Sequence, residues 1–306
     1  MPQLSVIVTT KNNAYTIGPC LERILKAPPK DKELVIVYGK SKDGTEEIVK
    51  SYRRKARILF DDVSTGSAIN TGVLNSSGKI IVYVEDHSFI SEDAFLLILK
   101  AFNSNPDIGY IVFHHYFPEN VKGLSLAQKL MNLWRSDIRN ATLGQFRGFR
   151  RKTFFDVGGF WVFPKGVDDL EFATRMSDTK WKMMVLDTKS WDLPRRSLRP
   201  MLGHQVFTGE SESCWFHVYH NHPYARKEYR VKKNTSHPIT TILLNMVWGR
   251  LVYTSIHGLK VALNKRFLSF FPFYALCNWC YVYGFFKAKL RSWGKEKWDP
   301  RVRQSF

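Results

Sequence analysis

The chain has 306 residues, a formal net charge of +19 and an aromatic content of 14%. It is long enough for one large domain or for a domain with an appendage. Its four cysteines are too few for a disulfide scaffold. The positive charge favours an anionic partner, such as nucleic acid, a phospholipid surface or a phosphorylated substrate. Zinc-finger spacing and RNP-like aromatic motifs are absent from the sequence, so we expect no nucleic-acid partner.

Strand and helix signals alternate over residues 4–115. Continuous apolar runs predict strands at 4–10, 33–39, 56–61, 79–85 and 108–117. The segments between them predict helices at 16–27, 46–56, 67–77 and 93–104. Uninterrupted apolar strands separated by helices indicate an α/β fold with a mostly parallel sheet covered on both faces. Because the chain enters a strand without a basic leader, we expect no signal peptide and a cytosolic amino-terminal part.

The sequence YVEDHSFI, at residues 83–90, ends one of these strands with Glu85, Asp86 and His87. Such a cluster at the end of a buried strand costs desolvation energy unless a cation or solvent compensates it. Ligands of parallel sheets collect outside the carboxyl ends of the strands. Side chains i and i+2 of an extended segment point the same way, so Glu85 and His87 are expected to face a ligand together. A solvated acidic turn is the alternative.

The last third of the chain has a different character. A basic stretch at 195–209 predicts an amphipathic helix, and a mostly apolar segment follows at 237–263. Residues 267–286 form a run of twenty residues without a charge, long enough to cross a bilayer. A buried core helix is the alternative, but Pro272, Asn278 and the many aromatic residues favour membrane association, either spanning or interfacial. The predicted division is a catalytic domain at 1–192, a basic amphipathic interface region at 193–235 and a hydrophobic helical membrane-associated region at 236–306.

Four stretches of the chain together resemble the family 2 glycosyltransferases, inverting enzymes of the GT-A fold. They are VIVTTKNNAYTIGPCLERIL, ELVIVYGKSKDGTEEIV, GSAINTGVLNSSGKIIVYVEDH and FRGFRRKTFFDVGGFWVFPKGVDDLEFATRM. The resemblance covers roughly residues 4 to 190, and it rests on the order and spacing of the motifs. It implies a GT-A fold, which is a mostly parallel, Rossmann-like sheet flanked by helices, and a nucleotide-sugar donor.

The resemblance also implies roles for individual residues. Glu85, Asp86 and His87 fall on the Asp-X-Asp metal motif of the family, and Glu85 and Asp86 are also expected to bind the donor. Asp168 and Asp169 fall on the acidic pair whose second member is the catalytic base. The other implied donor-binding residues are Thr9, Thr10, Lys11, Asn12, Asp43, Gly66 and Asn70. Asp192 lies near the position where many relatives carry a third metal ligand.

The chemistry of sugar transfer needs these residue types independently. A diphosphate leaving group develops charge that a divalent cation or basic donors must neutralise. Oxygen ligands suit Mg²⁺ or Mn²⁺, and an imidazole ligand favours Mn²⁺. An attacking hydroxyl needs a carboxylate to accept its proton, a role we expect for Asp169, and one step with one base predicts inversion. Asp168 is expected either to raise the pKa of Asp169 or to orient sugar hydroxyls. If a helix begins at Asp168, then Glu171 and Arg175 are better explained as an i,i+4 ion pair than as catalytic groups.

The chain departs from the family where an acidic pair normally follows the second strand. Tyr38, Gly39 and Lys40 stand there, so the usual base-binding carboxylate is missing. Tyr38 is expected to stack on the base instead, and Lys11 and Lys40 to meet phosphate. This departure leaves the donor as either a UDP-sugar or a GDP-sugar.

The acceptor side is predicted from a group of arginines after the catalytic motifs. Arg195, Arg196 and Arg199 suit the phosphate of a lipid-linked acceptor, and attraction to anionic lipid headgroups is the alternative. We expect an enzyme on the cytoplasmic side of the cell membrane that transfers sugar to a lipid-linked or glycan acceptor. A nucleotidyltransferase and a non-catalytic sugar-nucleotide or membrane-binding module are the alternatives.

Overall fold

A computed structural model of the protein describes residues 2–113, 123–137, 146–161, 168–188, 190–193, 197–219, 221–224, 248–264 and 268–292. Seven strands form one sheet in the order β3-β2-β1-β4-β7-β6-β8. They are β1 (Leu4–Thr10), β2 (Glu33–Tyr38), β3 (Arg57–Phe60), β4 (Ile80–Glu85), β6 (Ile108–Phe113), β7 (Phe146–Arg150) and β8 (Lys182–Leu186). The short strands β5 (Ser88–Phe89) and β9 (Trp191–Asp192) form a separate antiparallel pair.

The sheet is mostly parallel, as the sequence predicts. Only β7 runs against its neighbours β4 and β6, and the other neighbouring pairs in this sheet are parallel. The predicted strand at 108–117 is described as far as Phe113. The sequence analysis did not predict β7, because Arg147, Gly148 and Arg150 interrupt the apolar run that marks the other central strands.

Helices cover both faces of the sheet. They are α1 (Ala14–Lys26), α2 (Thr45–Ser51), α3 (Thr65–Leu74), α4 (Ala94–Ser104), α6 (Arg151–Val157) and α7 (Asp168–Met176). Helix α5 (Leu126–Asp137) packs instead against the helices at the carboxyl-terminal end of the chain. One face of the sheet packs on α1, α2 and α4, and the other packs on α3, α6 and α7. Neighbouring strand residues such as Val6 and Ile7 are therefore both fully buried, which explains the uninterrupted apolar runs. Helix α2 ends at Ser51 instead of at the predicted residue 56, because the chain must turn back there to enter β3.

The carboxyl-terminal helices pack against α7. They are α8 (Leu198–Tyr219), a π-helical turn (Trp248–Tyr253), α9 (Thr254–Asn264) and α10 (Phe270–Ser292). Leu170 of α7 shares a buried cluster with Trp215 of α8 and Phe285 of α10. Helices α8 and α10 approach so closely that a Cβ atom added to Gly209 would lie 2.0 Å from the Tyr281 carbonyl oxygen. Helix α7 thus rests on a closely packed helix pair.

The uncharged run predicted at 267–286 is helical from Phe270 onward, despite Pro272 and Asn278. Pro272 lies in the first turn of α10, where its missing N–H leaves no intrahelical hydrogen bond unmade. The Asn278 side chain donates a 2.9 Å hydrogen bond to the Tyr274 carbonyl oxygen. Among the described helices, none combines the length and apolar character needed to cross a membrane. The predicted membrane-associated region and the three-part division stay predictions.

Candidate active site

The carboxyl ends of the central strands bring several predicted residues to one edge. Thr9 of β1 pairs in register with Glu85 of β4, and Thr10 pairs with Tyr38 of β2. The Thr9 hydroxyl is 3.0 Å from the Tyr83 hydroxyl. Parallel pairing therefore assembles the first loop, the second loop and the acidic cluster as neighbours.

Asp86 connects the end of β1 to the start of α1. Its carboxylate accepts a 2.6 Å hydrogen bond from the Thr10 hydroxyl and a 2.5 Å hydrogen bond from the Asn13 side chain. His87 Nδ1 lies 3.1 Å from the same carboxylate. These contacts occupy both oxygens of a buried side chain, so Asp86 has a structural role in addition to its predicted roles in metal and donor binding, which stay predictions.

The charges of Glu85 and His87 offset the desolvation cost of burying each other. His87 Nε2 lies 3.5 Å from Glu85 Oε2. Burial raises the pKa of Glu85 to about 7, although His87 and Arg147 oppose the shift. Burial alone would lower the pKa of His87, but the hydrogen bond to Asp86 and the charge of Glu85 raise it to about 9. An imidazolium therefore supplies part of the positive charge that the acidic cluster requires.

The residue types around Glu85 fit a divalent cation. Asp192 joins them because β9 pairs with β5, and its Oδ1 accepts a 2.6 Å hydrogen bond from the Ser88 hydroxyl. The charge of Asp192 contributes to the raised pKa of Glu85. Two carboxylates and an imidazole are ligands that Mn²⁺ accepts. Within the part of the chain that the structure describes, no three such side chains stand together in a metal-binding arrangement, so a cation would have to draw them together.

Arg147 is the residue that the sequence analysis missed. This buried side chain of β7 places Nη2 3.0 Å from Asp169 Oδ2 and 3.9 Å from Glu85 Oε1. Burial disfavours its charge, but Asp169 and Glu85 outweigh that effect and raise the pKa of Arg147 above its ordinary value. The sequence FRGFRR contains a signal for this role. Its glycine and aromatic residues indicate burial, and a buried arginine needs a negatively charged partner.

The two members of the predicted catalytic pair have different environments. Helix α7 begins at Asp168, which is 5% exposed, and the Oδ1 atom of Asp168 has no hydrogen-bond partner among the described residues. Burial, followed by the charge of Asp169, raises the pKa of Asp168 to about 7. The Asp169 side chain is 27% exposed and accepts hydrogen bonds from Arg147 and from the Leu170 N–H. Asp169 is therefore the carboxylate that a substrate can reach.

The ion pair expected further along α7 is confirmed. Arg175 Nη2 donates a 2.6 Å hydrogen bond to Glu171 Oε2 and a 2.7 Å hydrogen bond to the Gly159 carbonyl oxygen. Glu171 is fully buried and also accepts a 2.9 Å hydrogen bond from the Tyr219 hydroxyl of α8. These residues hold α7 in place and do not face the site as free acids.

Asn70 and Gly66 position the chain that leads into α7. The Asn70 amide donates to the Phe160 carbonyl oxygen at 2.7 Å and accepts from the Phe160 N–H at 2.9 Å. A Cβ atom added to Gly66 would lie 2.7 Å from Asp168 Oδ1 and from the Trp161 carbonyl oxygen. Both residues therefore act within the protein, and their predicted donor contacts stay predictions.

The first and second loops are bonded to each other. Asp43 accepts hydrogen bonds from the Ala14 N–H at 3.0 Å and from the Thr45 hydroxyl at 2.6 Å, so it joins the starts of α1 and α2. Asn12, with a left-handed φ of 52°, accepts a 2.8 Å hydrogen bond from the Lys42 N–H. Lys11 forms an ion pair with the carboxylate of Asp62, which follows β3 in the chain and also accepts a hydrogen bond from the Lys40 N–H. The centroid of the Tyr38 ring lies 5.4 Å from that of Phe60, and the two rings meet edge-on. The predicted donor contacts of these five loop residues stay predictions.

Arg199 is exposed near the start of α8, and Arg195 and Arg196 lie outside the described residues. The structure therefore leaves the predicted acceptor arginines as a prediction.

Comparison with known proteins decides the family. The sequence profile of "Glycosyl transferase family 2" matches residues 5–170. The chain belongs to this family. The match confirms the resemblance that the motifs indicate, and family 2 membership makes the chain a glycosyltransferase by class. The profile ends just after Asp169, so it contains both the acidic cluster and the predicted catalytic pair.

The most similar relatives and structures agree with this fold. Poly-β-1,6-N-acetyl-D-glucosamine synthase of Staphylococcus epidermidis is 21% identical over 60% of this chain, which spans less than half (46%) of that relative. The mannosyltransferase PcManGT of Pyrobaculum calidifontis, solved with GDP-Man and Mn²⁺, has a TM-score of 0.64 and 18% identity, covering 96% of this chain and 88% of its own. Glucosyl-3-phosphoglycerate synthase of Mycobacterium tuberculosis, solved with Mn²⁺ and UDP, has a TM-score of 0.51 and 14% identity. The match covers 70% of this chain and 79% of the synthase chain. The GT-A fold is thereby confirmed.

The raised pKa of Asp168 predicts a pH-dependent loss of stability. Because the pKa of Asp168 is about 7 in the folded chain, its carboxyl keeps its proton up to about that pH, whereas the unfolded chain releases the proton near the ordinary aspartate pKa of 3.8. The folded state thus binds more protons in this interval, and the free energy of unfolding falls as pH rises from about 4 through 7. Asp168→Asn removes this contribution, so its Tm should exceed the wild-type Tm at pH 8 by about 2 °C or more, with a smaller difference at pH 4.5.

Thermal unfolding by circular dichroism at the two pH values measures this difference. Asp107→Asn, at a largely exposed carboxylate, is the control and should show no such change. Equal Tm differences at both pH values for Asp168→Asn would contradict the prediction.

Proposed function

We propose that the protein transfers a sugar, with inversion, from a UDP- or GDP-sugar to a lipid-linked or membrane-proximal acceptor, with a divalent cation as cofactor. One observation carries the proposal: a single nitrogen of Arg147 contacts both Glu85, at the predicted metal edge, and Asp169, the predicted base. The group that stabilises the leaving diphosphate and the group that accepts the proton are therefore held side by side, as a single displacement requires.

On the donor side, a bound Mn²⁺ or Mg²⁺ would neutralise the charge that develops on the diphosphate. Glu85, His87 and Asp192 are the residues that would hold it, as their types suggest, once the cation has drawn them together. His87 could ligate the cation only as a neutral imidazole, after losing the proton that Asp86 and Glu85 stabilise; as long as it keeps that proton it would instead donate a hydrogen bond to a phosphate oxygen.

On the acceptor side, Asp169 takes the proton of the attacking hydroxyl. Its carboxylate is partly exposed and is fixed by Arg147 at 3.0 Å, which keeps it oriented. Asp168 is too deeply buried to meet the acceptor, and it supports the start of α7 against Gly66. One accessible base without a second carboxylate nucleophile favours inversion at the anomeric carbon.

A membrane-proximal acceptor is supported by the surface of α10. Leu276, Trp279 and Tyr283 are 46%, 61% and 60% exposed and recur at positions that share one helix face. Tryptophan and tyrosine favour the headgroup zone of a bilayer, and the net charge of +19 favours anionic lipids. We therefore place the enzyme on the cytoplasmic side of the cell membrane as part of the proposal.

Replacement of the base should stop transfer without stopping donor binding. Asp169→Asn keeps an oxygen that can accept from Arg147 but cannot take a proton, so turnover should fall by roughly 10² or more. Product formation from a panel of UDP- and GDP-sugars measures turnover, and calorimetry with UDP and GDP measures binding. Asp156→Asn, at an exposed ion pair on α6, is the control. Turnover retained in Asp169→Asn would remove this residue from the role of base.

Removal of the cation should abolish transfer. Excess chelator is expected to stop sugar transfer, and Mn²⁺ or Mg²⁺ added beyond the chelator should restore it, because the diphosphate needs the neutralising charge. Glu85→Gln should raise the concentration of Mn²⁺ needed for half-maximal rate. Rates that do not change in excess chelator would rule out a metal role for this cluster.

The exposed face of α10 should bind anionic vesicles. The double substitution Leu276→Ser and Trp279→Ser removes two large apolar side chains, so co-sedimentation with phosphatidylcholine–phosphatidylglycerol vesicles should weaken several-fold. Leu96→Ser, at a comparably exposed leucine of α4, is the matched control and should sediment like wild type. Equal sedimentation of all three proteins would argue against this face as the membrane contact.

A further inference from the structure

An ion pair lies at the carboxyl edge of the sheet, apart from the acidic cluster. Lys11 follows β1 and Asp62 follows β3, and Lys11 Nζ is 2.7 Å from Asp62 Oδ1. The Lys40 N–H donates a 3.1 Å hydrogen bond to the same oxygen. Three successive strands of the sheet thus converge on one carboxylate, which was not among the residues predicted from the sequence.

Gly39 makes room for this carboxylate. A Cβ atom added to Gly39 would lie 2.7 Å from Asp62 Oδ1 and 3.1 Å from Lys11 Cδ. Asp62 therefore places its carboxylate where a side chain at position 39 would begin. The loop after β2 has no acidic residue at Tyr38, Gly39 or Lys40, and the next strand supplies the missing negative charge to the same place.

The pair presents an acceptor beside a donor. Oδ1 of Asp62 makes both contacts, and Oδ2 has no hydrogen-bond or ion-pair partner within the described residues. The side chain of Lys11 is 54% exposed, and an ammonium group carries three N–H donors. A ligand that offers a carbonyl oxygen next to an N–H group would satisfy both residues at once.

We propose that Lys11 and Asp62 bind the lactam edge of the donor nucleobase, which is the adjacent C=O and N–H pair of guanine or uracil. The Lys11 ammonium donates to the base carbonyl, which replaces the phosphate contact that the sequence predicts for Lys11, and Asp62 Oδ2 accepts from the ring N–H. Adenine and cytosine present an amino group beside an unprotonated ring nitrogen. In the same orientation, the amino donor would face the Lys11 donor and the ring-nitrogen acceptor would face the Asp62 acceptor. This inference rests on the proposed function, because it assigns the base-binding part of the donor site.

The test compares nucleotide affinities of the full chain in the presence of Mn²⁺. Wild type should bind GDP or UDP more tightly than ADP and CDP. Asp62→Asn replaces one carboxylate oxygen by an N–H donor, so it should lower the affinity for the preferred nucleotide by about tenfold or more. Inorganic pyrophosphate has no base, and the variant should bind it no more weakly than wild type does. Isothermal titration calorimetry measures all five ligands.

A second variant and a control separate base binding from general effects. Gly39→Ala adds a methyl group against Asp62 without changing any charge. It should lower the affinity for the preferred nucleotide while leaving pyrophosphate binding unchanged. Asp107→Asn removes the carboxylate of a 3.2 Å ion pair with Lys182 at the amino ends of β6 and β8. That control should bind every ligand as wild type does.

The inference is overturned if wild type binds all four nucleoside diphosphates equally, or if Asp62→Asn leaves the preference for GDP or UDP unchanged. It is also overturned if Asp62→Asn weakens pyrophosphate and nucleotides alike, because the effect would then lie at the phosphates. Sugar transfer that is lost in Asp169→Asn would still support the proposed function in each of these cases, so the two failures are distinguishable.

Discussion

The buried guanidinium of Arg147 is the interaction on which the site depends. It stacks over the Tyr83 ring at 5.4 Å and reaches two carboxylates that come from different parts of the chain. An uncompensated charge at this depth would cost several kcal/mol, and so would either carboxylate without a partner. The strand β4 and the helix α7 are therefore held together by charge as well as by packing. A sugar donor and its attacking hydroxyl need this same proximity.

Arg147 occupies this position because β7 is the antiparallel strand between two halves of the sheet. Its register opposite Tyr83 directs the side chain toward the carboxyl end of β4. The segment that precedes α7 in the chain is fixed in turn at Phe160, where Asn70 bonds both backbone groups. The strand pairing of β7 and the hydrogen bonds of Asn70 are therefore two independent sets of contacts that position the residues of the site.

The carboxyl-terminal helices are coupled to the same helix α7. Trp215 of α8 donates a 3.1 Å hydrogen bond to Thr174, and Tyr219 bonds the buried Glu171. The exposed apolar face of α10 belongs to the same packed unit through Phe285 and Leu170. If that face lies on a membrane, as we propose, the proposed base Asp169 would be connected to the membrane surface through these contacts.

The sequence by itself determined the strand and helix pattern of the first half, the carboxyl edge as the place of the site, and the acidic groups at Glu85 and Asp169. These follow from apolar periodicity and from the cost of burying charge, which are local properties. Only the tertiary structure decided that Asp168 is buried while Asp169 is reachable, that Arg147 joins the two carboxylates, and that Asp62 fills the space beside Gly39. The reason is physical: burial and the pairing of charges depend on which strands become neighbours. Arg147 and Asp62 reach the site from the strands β7 and β3, a relation that no spacing along the chain encodes.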